Sequence, residues 1–311
     1  MAKVLICDSM SKGPLEEIKA CPYLEVVYNP EITPEQLLTA VKGMDAIVVR
    51  SRTKVTAAVI DASDSLKLIV RGGVGVDNID CNAAEAKGIE VKNTPAASSV
   101  SVAELAIACM FALARKIVPA VNSMKAHQWE KKAFAGVELW QKTLGLIGVG
   151  RIGIETARRA IGLGMKVIGF DPYVDVTGIS DVPIEAAALD DLLSRSDYIS
   201  IHTPHTEETH NLINADKLAL VKPTAFLINC ARGGIVDEKA LAEALRQGKI
   251  AGAALDVFGS EPPTEFPFDG LDNVVLTPHI GAQTAEGQGR VGNEVASILR
   301  EYFASEKSAS V

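Results

Sequence analysis

The sequence predicts an α/β protein of two domains, each a doubly wound parallel sheet with flanking helices, the second domain inserted into the first. Three observations carry that reading. Short apolar runs alternate with helical patterns along most of the chain, the rhythm of parallel strands joined by crossover helices. That rhythm breaks twice, at Asn93-Thr94-Pro95 and at Thr277-Pro278. The length of 311 residues also suits two domains better than one, at roughly 150 residues each.

Before the first break, strands are expected at residues 4–7, 24–28, 46–49, 68–70 and 89–91, with helices at 15–20, 35–41 and 80–87. After it, residues 98–117 read as one long helix. Val102, Leu105, Cys109, Leu113 and Ile117 form a stripe at helical spacing, and Ile107, Met110, Phe111 and Ala114 make the other faces apolar as well. A helix apolar nearly all round must be covered on several sides. A second subunit is the favoured cover, which predicts a homodimer through this domain; burial within one chain is the alternative. The second series has strands at 143–147, 166–170, 198–201, 225–229, 251–255 and 274–276, with helices at 152–161, 189–194, 215–219 and 237–247. A last helix, 285–303, is expected to return to the first domain. The domains are then 1–97 with 284–311, and 98–283. The short polar tail 305–311 is expected to fray.

Apolar residues make up 48% of the chain and charged residues 23%, as in a soluble globular protein. The net charge of -8 argues against nucleic acid or an anionic membrane as a partner. Five scattered cysteines show no metal-ligand spacing, so no metal is expected, and the thiols read as reduced in a cytoplasmic protein. Glu104 and Arg115 interrupt the apolar stretch 100–118, which excludes a membrane span there.

The chemistry begins at Gly148-Val149-Gly150-Arg151-Ile152-Gly153. This GxGxxG run follows the apolar strand Leu144-Gly145-Leu146-Ile147 and opens a helical pattern, the context the motif requires. Gly148 permits the tight turn, Gly150 lets the backbone approach a pyrophosphate, and Gly153 lets helix and strand pack closely. The helix N-terminus adds unpaired N–H groups and positive partial charge. Asp171 closes the next strand, where an acidic side chain bonds ribose hydroxyls and repels a 2′-phosphate. A Rossmann-type domain binding NAD rather than NADP is expected.

Three later segments place chemistry at predicted strand ends: Arg232 within 229–237, Glu261 within 254–262, and His279 within 277–282. Ligands of open α/β sheets bind at the carboxyl ends of strands. The arginine fork can hold a carboxylate and polarise a carbonyl. Histidine can give or take a proton near neutrality, and a carboxylate bonded to an imidazole orients it and favours its charged form. Taken alone, each reads more readily as a surface arginine, a solvated loop acid or a satisfied loop histidine; together they supply the parts for reducing a carbonyl.

With these residues in view, the sequence resembles the D-isomer-specific 2-hydroxyacid dehydrogenases, nearest to their phosphoglycerate-oxidising branch, from about Val48 to Ala282. The likeness includes Val49-Arg50-Ser51 with Thr53-Lys54-Val55-Thr56, Gly75-Val76-Asp77-Asn78, Lys92-Asn93-Thr94-Pro95, Trp129-Glu130 and His202-Thr203-Pro204. It also takes in the glycine loop, the Arg232 and His279 segments, and residues 253–257. The resemblance implies an NAD domain inserted into a discontinuous, flavodoxin-like substrate domain. It implies Arg232 as substrate binder, Glu261 as the imidazole's partner and His279 as proton donor or acceptor. Cofactor contacts are implied at Arg151, Ile152, Asp171, Thr203, Pro204, Cys230, Asp256 and His279 to Ala282, Gly281 included. The loop at Val74 and Gly75 would meet a substrate carboxylate through its N–H groups. Better-known members carry a threonine where this chain has Val74, so a hydroxyl contact there is lost. Relatives acting on formate lack the Glu–His pair, so a small anionic 2-hydroxy acid is the expected substrate.

Arg50, Arg52, Lys54 and Arg71 make a local basic cluster in an acidic chain, with Lys131 and Lys132 after a segment that in this family reaches toward a neighbouring subunit. Such clusters suit a phosphate as well as a carboxylate, so Arg50 and Arg71 join Val74, Gly75, Arg232 and His279 as expected substrate contacts. The leading expectation is oxidation of 3-phosphoglycerate, the entry to serine synthesis. Reduction of glyoxylate, hydroxypyruvate or another small 2-keto acid is the alternative, and a non-catalytic NAD-sensing co-repressor a remote one. The chain ends soon after its last helix, so inhibition by serine is not expected.

Overall fold

Two separate parallel sheets arise from this alternation in the computed structural model, which describes residues 1–309. Residues 1–98 with 282 onward form one unit, and Ser99–Gly281 the other.

In the first unit the chain runs β1 (Ala2–Ile6), α1 (Lys12–Lys19), β2 (Leu24–Tyr28), α2 (Pro34–Ala40), β3 (Ala46–Val49), α3 (Ala57–Ala62), β4 (Leu68–Arg71), α4 (Cys81–Ala86) and β5 (Glu90–Asn93). The strands lie in the order β2-β1-β3-β4-β5, every neighbour parallel. That is the flavodoxin-like order. β3 is apolar throughout because both its faces are covered. One face packs Leu37, Ile60 and Ala84 from α2, α3 and α4. The other packs Ile18 of α1 with Val295, Ala296 and Leu299. These last three belong to a helix at 285–309, so the chain does return here after the second unit. The strand order reverses between β1 and β3, and a ligand crevice is expected at such a reversal.

The second unit starts with α5 (Ser99–Ala114) and α6 (Ile117–Lys125). It continues through β6 (Thr143–Ile147), α7 (Arg151–Gly162), β7 (Lys166–Phe170), β8 (Glu185–Ala186), α8 (Leu189–Arg195), β9 (Tyr198–Ile201), α9 (Ala215–Leu218), β10 (Phe226–Asn229), α10 (Glu238–Arg246), β11 (Gly252–Leu255) and β12 (Val274–Leu276). Its seven strands are parallel in the order β12-β11-β10-β9-β6-β7-β8. Reversal falls between β6 and β9, as in a Rossmann-type sheet, and the glycine loop follows β6 at that point. α5 and α7 cover one face through Ala106, Met110, Ala157 and Ala160. Leu192 of α8 and Leu241 and Leu245 of α10 cover the other.

Three expectations need correction. The helix expected at 98–117 is α5, which stops at Ala114, and a helix that was not expected, α6, starts at Ile117 after Lys116 turns into the left-handed region at φ 48. The six-residue α3 and the two-residue strand β8 are too short to show a period. The final helix, α11 (Ala285–Ala309), carries the backbone past the expected fraying point, and residues 310–311 lie outside the described ones. Among the described residues no helix is long and apolar enough to cross a membrane.

Candidate active site

The glycine loop separates into two kinds of glycine. At Gly148, with φ +96, an added Cβ would stand 2.7 Å from the carbonyl of His202, and at Gly153 one would stand 2.3 Å from the Gly148 carbonyl oxygen. Those two are demanded by the packing of β6, α7 and the end of β9. A Cβ at Gly150 would meet nothing within 4 Å. Gly150 caps the twelve-residue α7, so the open space over it is space over the helix's free N–H groups. Asp171, just past β7, fixes the loop's edge: Oδ2 accepts the Val149 N–H at 2.8 Å, while Oδ1 accepts those of Tyr173 at 2.9 Å and Val174 at 3.1 Å. Each carboxylate oxygen has two acceptor sites, so room remains for ribose hydroxyls. A tight turn, a bare helix N-terminus and a carboxylate at the next strand end fit a dinucleotide. Arg151 is exposed beside the loop and Ile152 half-buried, while Thr203 is buried and Pro204 exposed after β9.

His202 entered the family resemblance without a task of its own. Its ring is buried, its Nε2 lies 2.9 Å from Ser200 Oγ, and burial pushes its pKa down to about 4. It is a neutral packing group beneath the glycine turn, and its place at the end of an apolar strand was the available signal.

The catalytic candidates stand on three neighbouring turns. After β10, buried Asn229 accepts the Ala231 N–H at 3.0 Å and donates to the Arg232 carbonyl at 2.9 Å, closing the turn that presents Arg232. The Cys230 thiol is buried against Cys109, whose hydrogen bond with burial pushes it well above the usual thiol range. What Cys230 has to give a ligand is therefore its main chain.

After β11 stands Asp256, only 1% exposed. Its Oδ1 accepts Thr277 Oγ1 at 2.6 Å and the Ile280 N–H at 2.8 Å, and its Oδ2 accepts the Gly281 N–H at 2.8 Å. Its carbonyl takes the His279 N–H at 2.8 Å. This grip holds His279 at φ 54, a left-handed conformation costing a side-chain-bearing residue roughly 1–2 kcal/mol. The resemblance implied a cofactor contact at Asp256; in the structure its carboxylate serves the turn that aims His279.

His279 Nδ1 lies 2.6 Å from Glu261 Oε2, and Glu261 Oε1 accepts the Phe258 N–H at 3.2 Å. Burial raises the Glu261 pKa, but the His279 hydrogen bond and charge, the Phe258 N–H and the charge of Arg232 together outweigh it and hold the carboxyl below the ordinary range. Glu261 is thus an anion at neutral pH. Because Nδ1 faces that anion it carries a proton, which leaves Nε2 of a neutral ring as the free base.

In the first unit, Arg50 and Arg71 stand at the carboxyl ends of the adjacent strands β3 and β4, Val49 being paired with Arg71 in register. Arg50 Nε is buried without a partner and Nη1 donates to the Ser9 carbonyl at 3.2 Å; burial lowers its pKa against the opposing charge of Asp8. Arg71 donates to the Gly72 carbonyl and to Ser51 Oγ. Arg52 departs from the expected cluster. It pairs with buried Asp8 at 3.2 Å and donates to the carbonyls of Cys7, Pro30 and Ile32, so it belongs to the fold. Asn78 ties the Val74–Gly75 loop down by donating to the carbonyls of Arg50 at 2.8 Å and Thr53 at 2.6 Å. Val74 and Gly75 are half-buried on that loop. Ala282 falls in this unit and its carbonyl accepts from Gln288. Among the described residues no group of three or more metal-ligating side chains gathers.

Residues 107–281 match the family model described as D-isomer specific 2-hydroxyacid dehydrogenase, NAD binding domain. The chain belongs to the D-isomer-specific 2-hydroxyacid dehydrogenase family. The dinucleotide that the glycine loop fits is accordingly NAD. This family member is 45% identical to the D-3-phosphoglycerate dehydrogenase of Methanocaldococcus jannaschii over 100% of its own length, spanning 59% of that longer protein. It is 48% identical to the hydroxypyruvate reductase of Thermotoga maritima, covering 96% of this chain and 98% of that one. Among solved structures, the D-lactate dehydrogenase of Aquifex aeolicus in complex with NAD and lactic acid superposes with a TM-score of 0.85 at 30% identity, over 98% of this chain and 96% of that one.

Proposed function

We propose that this dehydrogenase oxidises D-3-phosphoglycerate to 3-phosphohydroxypyruvate, with His279 as acid/base. Bound NAD supplies the hydride acceptor. As C2 loses hydride, His279 Nε2 takes the hydroxyl proton, and the Glu261 anion stabilises the imidazolium that forms. Arg232 pairs with the substrate carboxylate and faces the oxygen on which charge develops. In the reverse direction His279 returns its proton to the carbonyl oxygen.

The phosphate assignment is supported chiefly by Arg50: its guanidinium is partly desolvated, with an unpartnered Nε at a strand-order reversal. A phosphate dianion compensates such a charge. D-3-phosphoglycerate is expected to exceed D-glycerate in kcat/KM by about a hundredfold, the size of one or two charge-assisted hydrogen bonds. Arg50→Ala should remove most of that preference while leaving glycerate oxidation nearly unaltered. The 48% identity to the Thermotoga hydroxypyruvate reductase favours a second reading, reduction of hydroxypyruvate or glyoxylate. Equal turnover of D-glycerate and D-3-phosphoglycerate, unmoved by Arg50→Ala, would decide for it.

We also infer a homodimer through the second unit. Ile117, Val121 and Met124 leave apolar side chains exposed along α6, and with Phe111 they line a groove of about 730 Å³. A contiguous apolar face of this kind marks an association surface. Sedimentation should give twice the chain mass, and Val121→Glu with Met124→Glu should give a monomer; a wild-type monomer at micromolar concentration would overturn the inference.

A further inference from the structure

We infer that Glu238 is a positioning residue for the acid/base pair, acting on Glu261 through the Phe258–Gly259 peptide. The inference rests on the reading of Glu261 and His279 just given.

Glu261 is carried by a loop, not by a strand or helix, and its side chain is about a third exposed, at 38%. Something must hold it, because an acid that drifts neither orients nor stabilises the imidazole. The loop's own sequence supplies only the Phe258 N–H. The peptide that follows is gripped from both sides. Its carbonyl presses on the Arg232 turn so closely that a Cβ at Gly233 would stand 1.8 Å from Phe258 O and 2.6 Å from the Gly259 nitrogen. Its N–H donates to Glu238 Oε1 at 2.7 Å, a bond reaching 21 residues along the chain.

Glu238 is itself placed rigidly. It is the first residue of α10, and Asp237 caps that helix by accepting the N–H groups of Lys239 and Ala240. Val236 is bridged to Ile213 just before it. A glutamate in a first helical turn commonly serves only the helix dipole. Here its oxygen is spent on another loop's amide. The order of support is then α10, Glu238, the Gly259 N–H, the adjoining Phe258 N–H, Glu261 and His279. One peptide, between Gly233 and Glu238, sets the spacing of the Arg232 turn and the Glu261 loop together.

The charged groups around the pair are Arg232, Asp256 under the His279 turn, and Glu238. Removing Glu238's oxygen frees the loop, so the pair should give up its proton at a lower pH. Glu238→Ala is expected to lower kcat/KM for 2-keto acid reduction about five- to tenfold, the effect of one ordinary lost hydrogen bond acting indirectly on the pair. The fall should lie in kcat, and the pH of half-maximal reduction should move down. Glu238→Gln keeps an acceptor oxygen and should restore both to within about twofold. In a Glu261→Gln background Glu238→Ala should add little, since both act through one group. NADH affinity and the thermal midpoint serve as controls for folding. If Glu261→Gln leaves the pH profile unmoved, the acid/base reading fails. If Glu261→Gln moves it and Glu238→Ala does not, or if the two effects are fully additive, the positioning inference fails alone.

Discussion

Replacing His279 with alanine is expected to lower kcat/KM about a thousandfold in either direction, the usual span for a positioned general acid or base. The loss should sit almost wholly in kcat, because the side chain meets the proton and contributes little to holding the substrate. No other group on these turns can take over. Glu261 meets the ring on its Nδ1 side, so without the ring it stands a ring's width short of the proton; Arg232 has no acceptor, and Asp256 is buried under the turn with both oxygens occupied. NADH affinity should change little, since alanine keeps the main chain of the 279–282 segment, where cofactor contacts are implied, and leaves the glycine loop and Asp171 untouched. The thermal midpoint should fall only slightly, because the variant gives up the partly exposed Glu261 bond while the Asp256 grip uses only backbone groups and Thr277. A loss under tenfold would remove His279 from the proton's path.

Asp171→Ala is expected to turn cofactor preference by two effects in the same direction. It removes the acceptor for the ribose hydroxyls, costing kcat/KM with NAD about ten- to a hundredfold, and it removes the charge that repels a 2′-phosphate. The same change frees the Val149, Tyr173 and Val174 amides that Asp171 ties together, so the alanine variant loosens the loop as well. Asp171→Asn separates the two: it keeps one acceptor oxygen and most of the loop but loses the charge. The ratio of NADP to NAD activity should therefore rise in Asp171→Asn with a smaller loss of NAD activity than in Asp171→Ala. An unchanged ratio in both variants, measured with both cofactors at low salt, would place the adenosine ribose away from Asp171.

The cofactor loop was the most legible part of the sequence because its signal is local. Strand, glycines, helix and acid follow within one βα unit, and each glycine's duty is set by neighbours close in the chain or by the adjacent strand. The pairing of Glu261 with His279 was legible only as a coincidence of residue types, since 18 residues separate them and the fold supplies their 2.6 Å contact. What could not be read were supports that act across the chain. Asp256 builds the His279 turn from another strand end, Asn229 closes the Arg232 turn, and Glu238 reaches the Glu261 loop from a helix start. In the sequence all three are ordinary polar residues. Arg52 shows the opposite error: by composition it looked like a ligand-binding cation, and buried Asp8 had already claimed it. The helix α6 went unread because hydrophobicity does not register the single left-handed residue, Lys116, that separates it from α5.

The central claim is that this site moves a hydride between C2 of a D-2-hydroxy acid and NAD while His279 moves the proton. Its most direct test is the fate of the C2 hydrogen. With D-3-phosphoglycerate deuterated at C2, the label should appear on the nicotinamide ring of the NADH formed, one deuterium per turnover and none from solvent, and its transfer should slow about a thousandfold in His279→Ala. Product formed without label in the NADH, or label transfer undiminished in His279→Ala, would contradict it.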